Sequence, residues 1–332
     1  MITVENLTRE FKTYKKYEGF KGAIKSLFSN EYTIKKAVDS VNFTINQGEI
    51  VGYIGVNGAG KSTTIKMMTG ILVPTSGKCQ VNGIVPYEHR QENAKNIGVV
   101  FGQRTQLWWD LPLSESFGIL KQIYEIPQEK FNENLAYLKE LLGLDEFFTT
   151  PVRNLSLGQK MRADFAASML HEPKVLFLDE PTIGLDIVVK EKIRKAIKDI
   201  NKKNKTTIIL TTHDLDDIEE VCNRIIVIDG GKKIFDGGIK DLKKNFAKYR
   251  SIKFDIRHNK YENINKLLEV EEADLIVKEE ENELELKFHK DKLKIADIIS
   301  KIVNIYEVRD ITIEEPQMED VVKEIYSGKI RN

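Results

Sequence analysis

Apolar and polar residues alternate over 1–7, where Ile2 and Val4 fall on one side, and again over 37–45. Both stretches predict strands with one buried face. The chain also reads as apolar strands over 49–54 and 97–101. Over 175–178 and 206–211 it holds buried runs, the first unbroken, as in strands covered on both faces. A glycine turn at 75–77 leads into a short strand and hairpin over 78–83. The period lengthens to that of a helix over 64–69, 114–142, 158–171, 189–201 and 214–222. Asp214, Asp216 and Asp217 occupy the first turn of the last of these, where the helix dipole favours acids. Gly230-Gly231, between strand-like runs at 225–228 and 232–235, predicts a two-residue hairpin.

The pattern changes after Asp236. Gly237-Gly238 and the lysine-rich stretch 240–248 predict a linker over 237–250. Beyond it, strands at 251–257, 275–278, 283–288 and 308–313 interleave with helices at 261–268 and 293–303, and a short helix closes the chain at 318–325. That order, β-α-β-β-α-β with a final helix, predicts a ferredoxin-like α+β domain over 251–332, following an α/β domain over 1–236. An insertion over 12–36 interrupts the first domain. Tyr17, Phe20, Ile24, Leu27 and Phe28 fall there at helical spacing, although Gly19 and Gly22 weaken a helix. The insertion reads either as a lid packed on the neighbouring sheet or as a docking surface for a membrane partner.

Composition narrows the classes. The 332 residues suffice for two domains, and 41% are hydrophobic, enough for packed cores. Lys plus Arg balance Asp plus Glu, 51 against 51, which argues against a nucleic-acid partner. Cys79 and Cys222 are far apart, and neither they nor the five histidines show metal-ligand spacing, so reduced thiols are expected. No apolar run is long enough to span a bilayer, and the first residues do not read as a signal peptide. A soluble chain is expected, with any membrane function supplied by a separate polypeptide.

Chemistry enters at Gly55-Val56-Asn57-Gly58-Ala59-Gly60-Lys61-Ser62-Thr63, which fits the phosphate-binding loop G-x-x-x-x-G-K-[ST] between a strand and a helix. In that setting backbone N–H groups converge on anionic oxygens. Lys61 is expected on the β- and γ-phosphates and Ser62 on Mg²⁺. Such a loop needs an acid to order the metal and the water. The strand Val175-Leu176-Phe177-Leu178 ends in Asp179-Glu180, so Asp179 is expected beside Mg²⁺ and Glu180 as acceptor from the attacking water. Alone, the loop and the acids suit many phosphate-handling enzymes.

Upstream of those acids lies Leu155-Ser156-Leu157-Gly158-Gln159. This resembles the Leu-Ser-Gly-Gly-Gln signature of ATP-binding cassette (ABC) ATPases, with Leu157 in place of the third-position glycine. Other motifs resemble that family in order. Gln103 fits the glutamine loop, placed near Mg²⁺ and the reacting water. Gly184-Leu185-Asp186 fits the D-loop, and His213 fits the switch histidine. Phe11 fits the aromatic that stacks on adenine, with Tyr14, Tyr17 and Tyr32 as competitors. The resemblance covers about 1–236. It implies an ABC ATPase core with an antiparallel β subdomain and a helical subdomain over about 104–172. It also implies head-to-tail pairing with a second ATP-binding subunit, identical or a paralogue. ATP and Mg²⁺ would then lie between the loop of one copy and Ser156, Gly158 and Gln159 of the other.

Stretches 101–112 and 310–322 resemble ATPases that partner type-2 ABC exporter permeases. The resemblance therefore implies an ATPase at the cytoplasmic face of the membrane, held by a permease and powering export. The competing class is a soluble ABC ATPase that works as a mechanical or regulatory switch. Trp108 and Trp109 read either as core aromatics or as a cleft for a permease helix.

Overall fold

The apolar runs become neighbours in one sheet. A computed structural model describes residues 2–14, 31–102, 104–246, 249–257, 264–271, 275–280, 282–314 and 318–326. The chain divides into two compact units, Met1–Gly238 and Ile239–Asn332.

The first unit begins with β1 (Ile2–Tyr14), β2 (Tyr32–Ile45), β3 (Ile50–Gly55), α1 (Lys61–Met68), β4 (Ser76–Val81), α2 (Arg90–Asn96) and β5 (Ile97–Phe101). Three helices follow: α3 (Leu113–Ile123), α4 (Gln128–Leu142) and α5 (Leu157–Met169). It closes with β6 (Val175–Asp179), α6 (Ile187–Asn204), β7 (Thr207–Thr211), α7 (Leu215–Val221), β8 (Arg224–Asp229) and β9 (Lys232–Gly238).

The main sheet has the order β5-β6-β7-β3-β8-β9, parallel except for the β8–β9 pair. β3 and β7 are buried along their whole lengths, as the apolar runs predict. Register aligns their ends: Phe101 pairs with Asp179, and Asp179 with Thr211. The segments leaving β3, β6 and β7 therefore emerge on one edge of the sheet, the carboxyl edge where α/β sheets bind ligands.

A second sheet, β2-β1-β4, is antiparallel. Its inner residues Ile2, Val4, Val41 and Phe43 share a core with Ile65 and Met68 of α1 and with Tyr53 and Phe177 of the main sheet. α1 is thus held on both sides by apolar packing, which fixes the loop in front of it. β1 and β2 remain paired out to Tyr14 and Tyr32. The ends of the stretch read as an insertion, 12–14 and 32–36, are therefore strand. Its expected helix around Tyr17 to Phe28 lies outside the described residues. The helical pattern over 114–142 is interrupted at Glu125, whose φ is 54°, and α4 starts after Pro127, whose ring suits a helix start.

The second unit holds α8 (Ile239–Phe246), β10 (Tyr249–Arg257), α9 (Ile264–Leu268), β11 (Leu275–Glu279), β12 (Glu283–His289), α10 (Ile295–Val303), β13 (Glu307–Glu314) and α11 (Met318–Tyr326). The stretch 237–250, read as a linker, instead carries the end of β9 and the helix α8. Ile239 and Leu242 on that helix are buried while Lys240 is exposed, as on an amphipathic turn. The sheet order β11-β12-β10-β13, antiparallel throughout, is the ferredoxin-like arrangement. Ile252, Phe254, Leu284, Leu286 and Phe288 face Ile298 and Ile302 of α10 in its core. Among the described residues no helix is long and apolar enough to cross a membrane.

Candidate functional site

The loop after β3 is shaped by backbone constraints. Gly60 has φ +109° and lies so close to the β2 backbone that a Cβ there would stand 2.3 Å from the Ala37 oxygen. No other residue type fits that combination. The loop's near half, Ala59, Gly60 and Lys61, is buried, while Val56, Asn57 and Gly58 are exposed. Gly55 closes β3, and Ser62 and Thr63 form the first turn of α1 after Lys61. The Lys61 ammonium is drawn back over the loop and donates to the Gly55 carbonyl at 2.6 Å. Burial pushes its pKa down, against the pull of Glu180 and Asp179.

The acids arrive from β6. Asp179 Oδ1 accepts from the Thr211 hydroxyl at 2.6 Å and from the Ser62 hydroxyl at 3.4 Å, which joins the phosphate loop to the next two strands. Glu180 follows with φ 58°, a left-handed conformation unusual for a side chain with a Cβ. Its N–H donates to the Thr211 carbonyl at 2.9 Å, and its Oε2 accepts from the His213 N–H at 3.2 Å. Among the described residues Glu180 Oε1 accepts no hydrogen bond, and it stands 3.2 Å from His213 Nε2. Burial raises the Glu180 pKa and outweighs His213 and Lys61, which lower it. His213 Nε2 is also 3.4 Å from Lys61 Nζ. Lys61, Ser62, Asp179, Glu180 and His213 thus form one contiguous set drawn from three strand ends.

Ser156, Gly158, Gln159 and Asp186 stand apart from it. No hydrogen bond or ion pair among the described residues joins them to the Lys61 set. Ser156 caps α5: its Oγ accepts from the Gln159 N–H at 3.2 Å, while the Gln159 side chain accepts from the Ser156 N–H at 2.9 Å. This reciprocal capping box leaves the first N–H groups of α5 free to meet an anion. Leu157, where the family pattern has glycine, is half exposed and lies against Gly184, whose φ is +73° and whose added Cβ would meet Leu157 Cδ2 at 3.2 Å. Asp186 caps α6 through the Val189 N–H. Phe11 lies on β1 with the Arg9 guanidinium 4.9 Å from its ring centre. Gln103 lies outside the described residues.

Two features escaped the sequence. Asp217 is buried and does not face water with its neighbours; it accepts from Arg194 Nε at 2.5 Å, from the Thr182 hydroxyl and from the Thr212 hydroxyl at 3.4 Å. Asp164, buried in α5, accepts from the Thr105 hydroxyl at 2.9 Å and the Gln106 N–H at 3.0 Å, and burial raises its pKa to about 6. Of the two sequence readings of Trp108 and Trp109, the core one fails, since both rings are exposed. Leu107 takes the buried position, and Lys160 of α5 lies 4.6 Å from the Trp109 ring centre. Periodicity reports spacing, not which acid finds a hydroxyl partner, so no signal marked Asp217 or Asp164 as buried.

The site can hold a nucleoside triphosphate. A buried ammonium and a glycine-shaped loop serve the phosphates, and an oxygen-only pair, Ser62 and Asp179, suits Mg²⁺. The comparisons agree. Residues 38–183 match the ABC transporter family model. Over 211 residues the chain is 37% identical to the "Probable multidrug ABC transporter ATP-binding protein YbhF" of Escherichia coli, covering 64% of this chain and 36% of that one. The chain thus spans about a third of that relative's length. It is 33% identical over 249 residues to the methionine import ATP-binding protein MetN of Geobacillus kaustophilus, covering 74% of this chain and 68% of MetN. A solved dimer of a bacterial ABC transporter cassette superposes with a TM-score of 0.59 at 25% identity, covering 72% of this chain and 99% of that one. The chain belongs to the family of ABC transporter ATP-binding proteins.

Proposed function

We propose that this subunit binds ATP between its own Lys61 loop and the Ser156 helix of a second copy or paralogue, and that hydrolysis there powers export through a separate permease. The observation that carries this is the split of the site: the Lys61 set gathers a buried ammonium, the Ser62–Asp179 oxygens and the Glu180–His213 pair, while among the described residues no hydrogen bond or ion pair joins the capped α5 terminus to it. Lys61 and the loop N–H groups hold the phosphates. Ser62, Asp179 and Gln103 would hold Mg²⁺, which when bound neutralises phosphate charge. Glu180 is the acceptor for the attacking water's proton: its Oε1 accepts no hydrogen bond among the described residues, its backbone is pinned by Thr211, and burial raises its proton affinity. His213 holds the Glu180 carboxylate through its N–H and lies beside Lys61. Ser156, Gly158 and Gln159 close on the γ-phosphate from the partner, next to Asp186 of the D-loop. Phe11 stacks on adenine.

Export is favoured by the resemblance of 101–112 and 310–322 to type-2 exporter ATPases. It is favoured too by the higher identity to the multidrug relative, 37% against 33% for MetN. Association with the membrane then comes through the permease, and the exposed Trp109 beside Lys160 offers a contact for it. The test is light scattering of Glu180→Gln with and without ATP. ATP-dependent doubling of mass, alone or with a co-expressed paralogue, supports the shared site, and a monomer at saturating ATP in both cases overturns it. Direction is read in inverted vesicles with the co-expressed permease: ATP-driven uptake of an amphipathic dye supports export, and its ATP-driven loss from loaded vesicles overturns it.

A further inference from the structure

Glu180 and His213 sit on two separate segments, one leaving β6 and the other leaving β7. The contact between their side chains depends on those segments staying in register. One backbone bond, Glu180 N–H to the Thr211 carbonyl, joins the segments at their start. Beyond that point, besides the Glu180–His213 contact itself, one further carboxylate bridges them among the described residues. Asp217 is 1% exposed. Its Oδ2 accepts from the hydroxyl of Thr182, two residues past Glu180, and from that of Thr212, the residue before His213, at 3.4 Å. Its Oδ1 accepts from Arg194 Nε of α6 at 2.5 Å. The Thr212 hydroxyl in turn accepts from the Asp214 N–H at 2.9 Å, which fixes the turn around His213. Thr182 and Thr212 are themselves buried, at 3% exposure each, so water does not replace these bonds cheaply.

We infer that Asp217 is a positioning residue for ATP hydrolysis. It clamps the Thr182 and Thr212 hydroxyls on one oxygen and so keeps the Glu180 carboxylate against His213. The clamp rests on the reading of Glu180 and His213 as the hydrolytic pair. Arg194 completes it: the guanidinium supplies the charge that lets a carboxylate stay buried, and it anchors the clamp to α6, the helix that begins at Asp186 of the D-loop. Neither Asp217 nor Arg194 touches nucleotide-binding groups. The clamp therefore sets the rate of the chemical step and leaves the affinity of the phosphate loop alone. A shift of the Glu180 carboxylate by about 1 Å is enough to cost a large factor in rate, on the order of a hundredfold.

Replacing Asp217 itself strands a buried arginine, and Asp217→Ala could fail to fold. The sharper test removes hydroxyls by isosteric change. In the full chain, Thr182→Val is expected to lower kcat by about tenfold or more while the dissociation constant for a fluorescent ATP analogue stays within about threefold. Thr182→Ser, which returns the hydroxyl, is expected to restore kcat to within about twofold of the parent. Thr212→Val, acting on the same oxygen from the other side, is read by the same criteria. A folded Thr182→Val protein with unchanged kcat overturns the clamp. So does a fall in nucleotide affinity matching the fall in kcat, or a failure of Thr182→Ser to rescue. Glu180→Gln, measured alongside, separates the two claims. Hydrolysis at the parent rate in that variant overturns the role of Glu180, whereas the threonine series judges the clamp.

Discussion

The Lys61 set and the Ser156 helix end are built on opposite plans. The first is knitted from three strand ends, each of whose side chains leans on another: Ser62 on Asp179, Asp179 on Thr211, Glu180 on His213, His213 on Lys61. The second closes on itself, Ser156 to Gln159 and back. A group that must hold a charge and release a proton needs neighbours that set its pKa. A group that only offers N–H bonds needs a fixed direction and no more. On the proposed function, the difference separates a reacting half from a recognising half within one chain.

The largest effect expected from breaking this contrast is at Glu180. Glu180→Gln should lower kcat by about two to four orders of magnitude while nucleotide binding persists, as steady-state ATPase and equilibrium binding would report. The parent rate should also fall as the pH drops into the raised titration range of Glu180, because the base is then protonated, and the residual rate of the variant should lack that limb. Equal pH profiles for the two proteins would refute the base assignment. Next comes Lys61→Ala, which removes the buried cation from the phosphates. A loss of nucleotide affinity of roughly a hundredfold is expected in calorimetric titration, on the scale of a truncated buried charge contact. An unchanged affinity would mean that the loop amides suffice.

A third prediction concerns the link between the halves. Asp164 on the Ser156 helix is tied to Thr105 and Gln106, and the same segment begins at Gly102, whose N–H donates to the Asp179 carbonyl at 2.8 Å. Its folded pKa of about 6 lies above the ordinary carboxylate range. The neutral form is therefore the one the fold prefers. This contribution is complete below the ordinary range and is lost as the pH rises through about 6. Denaturant melts of the parent should lose on the order of 2–3 kcal/mol across that window, and Asp164→Asn should flatten the slope. Parallel slopes would show that Asp164 titrates normally. The smallest effect is at Ser156. Ser156→Ala should cost about 1 kcal/mol of stability from the lost cap, leave binding to the single chain unchanged, and lower the ATPase of the associated pair. If nucleotide binding by the isolated chain fell as well, the two halves would not be separate.

Much of this was legible because burial on both faces leaves an unbroken apolar run. The strands at 175–178 and 206–211 could be placed, and with them the edge that carries Asp179 and His213. The antiparallel unit over 251–314 was legible for the opposite reason, its alternation of Leu284, Leu286 and Phe288 with charged residues. What stayed hidden depends on contacts between distant positions. Asp217 sits among acids in a first helical turn, and only α6, with Arg194 packed over it, decides that this one turns inward. A lysine-rich stretch after two glycines has the composition of a linker, and also that of α8, whose apolar side is covered. Trp108 and Trp109 are apolar by composition, yet their neighbour Leu107 fills the interior.

The cap at Ser156 has one further consequence. Because its side chain and that of Gln159 are already bonded to each other's backbone, both rotamers are chosen before any phosphate arrives. Closing on a ligand then freezes little additional motion. On the proposed pairing, the cost of ordering the helix end is small at each encounter, and each separation would return the terminus ready for the next.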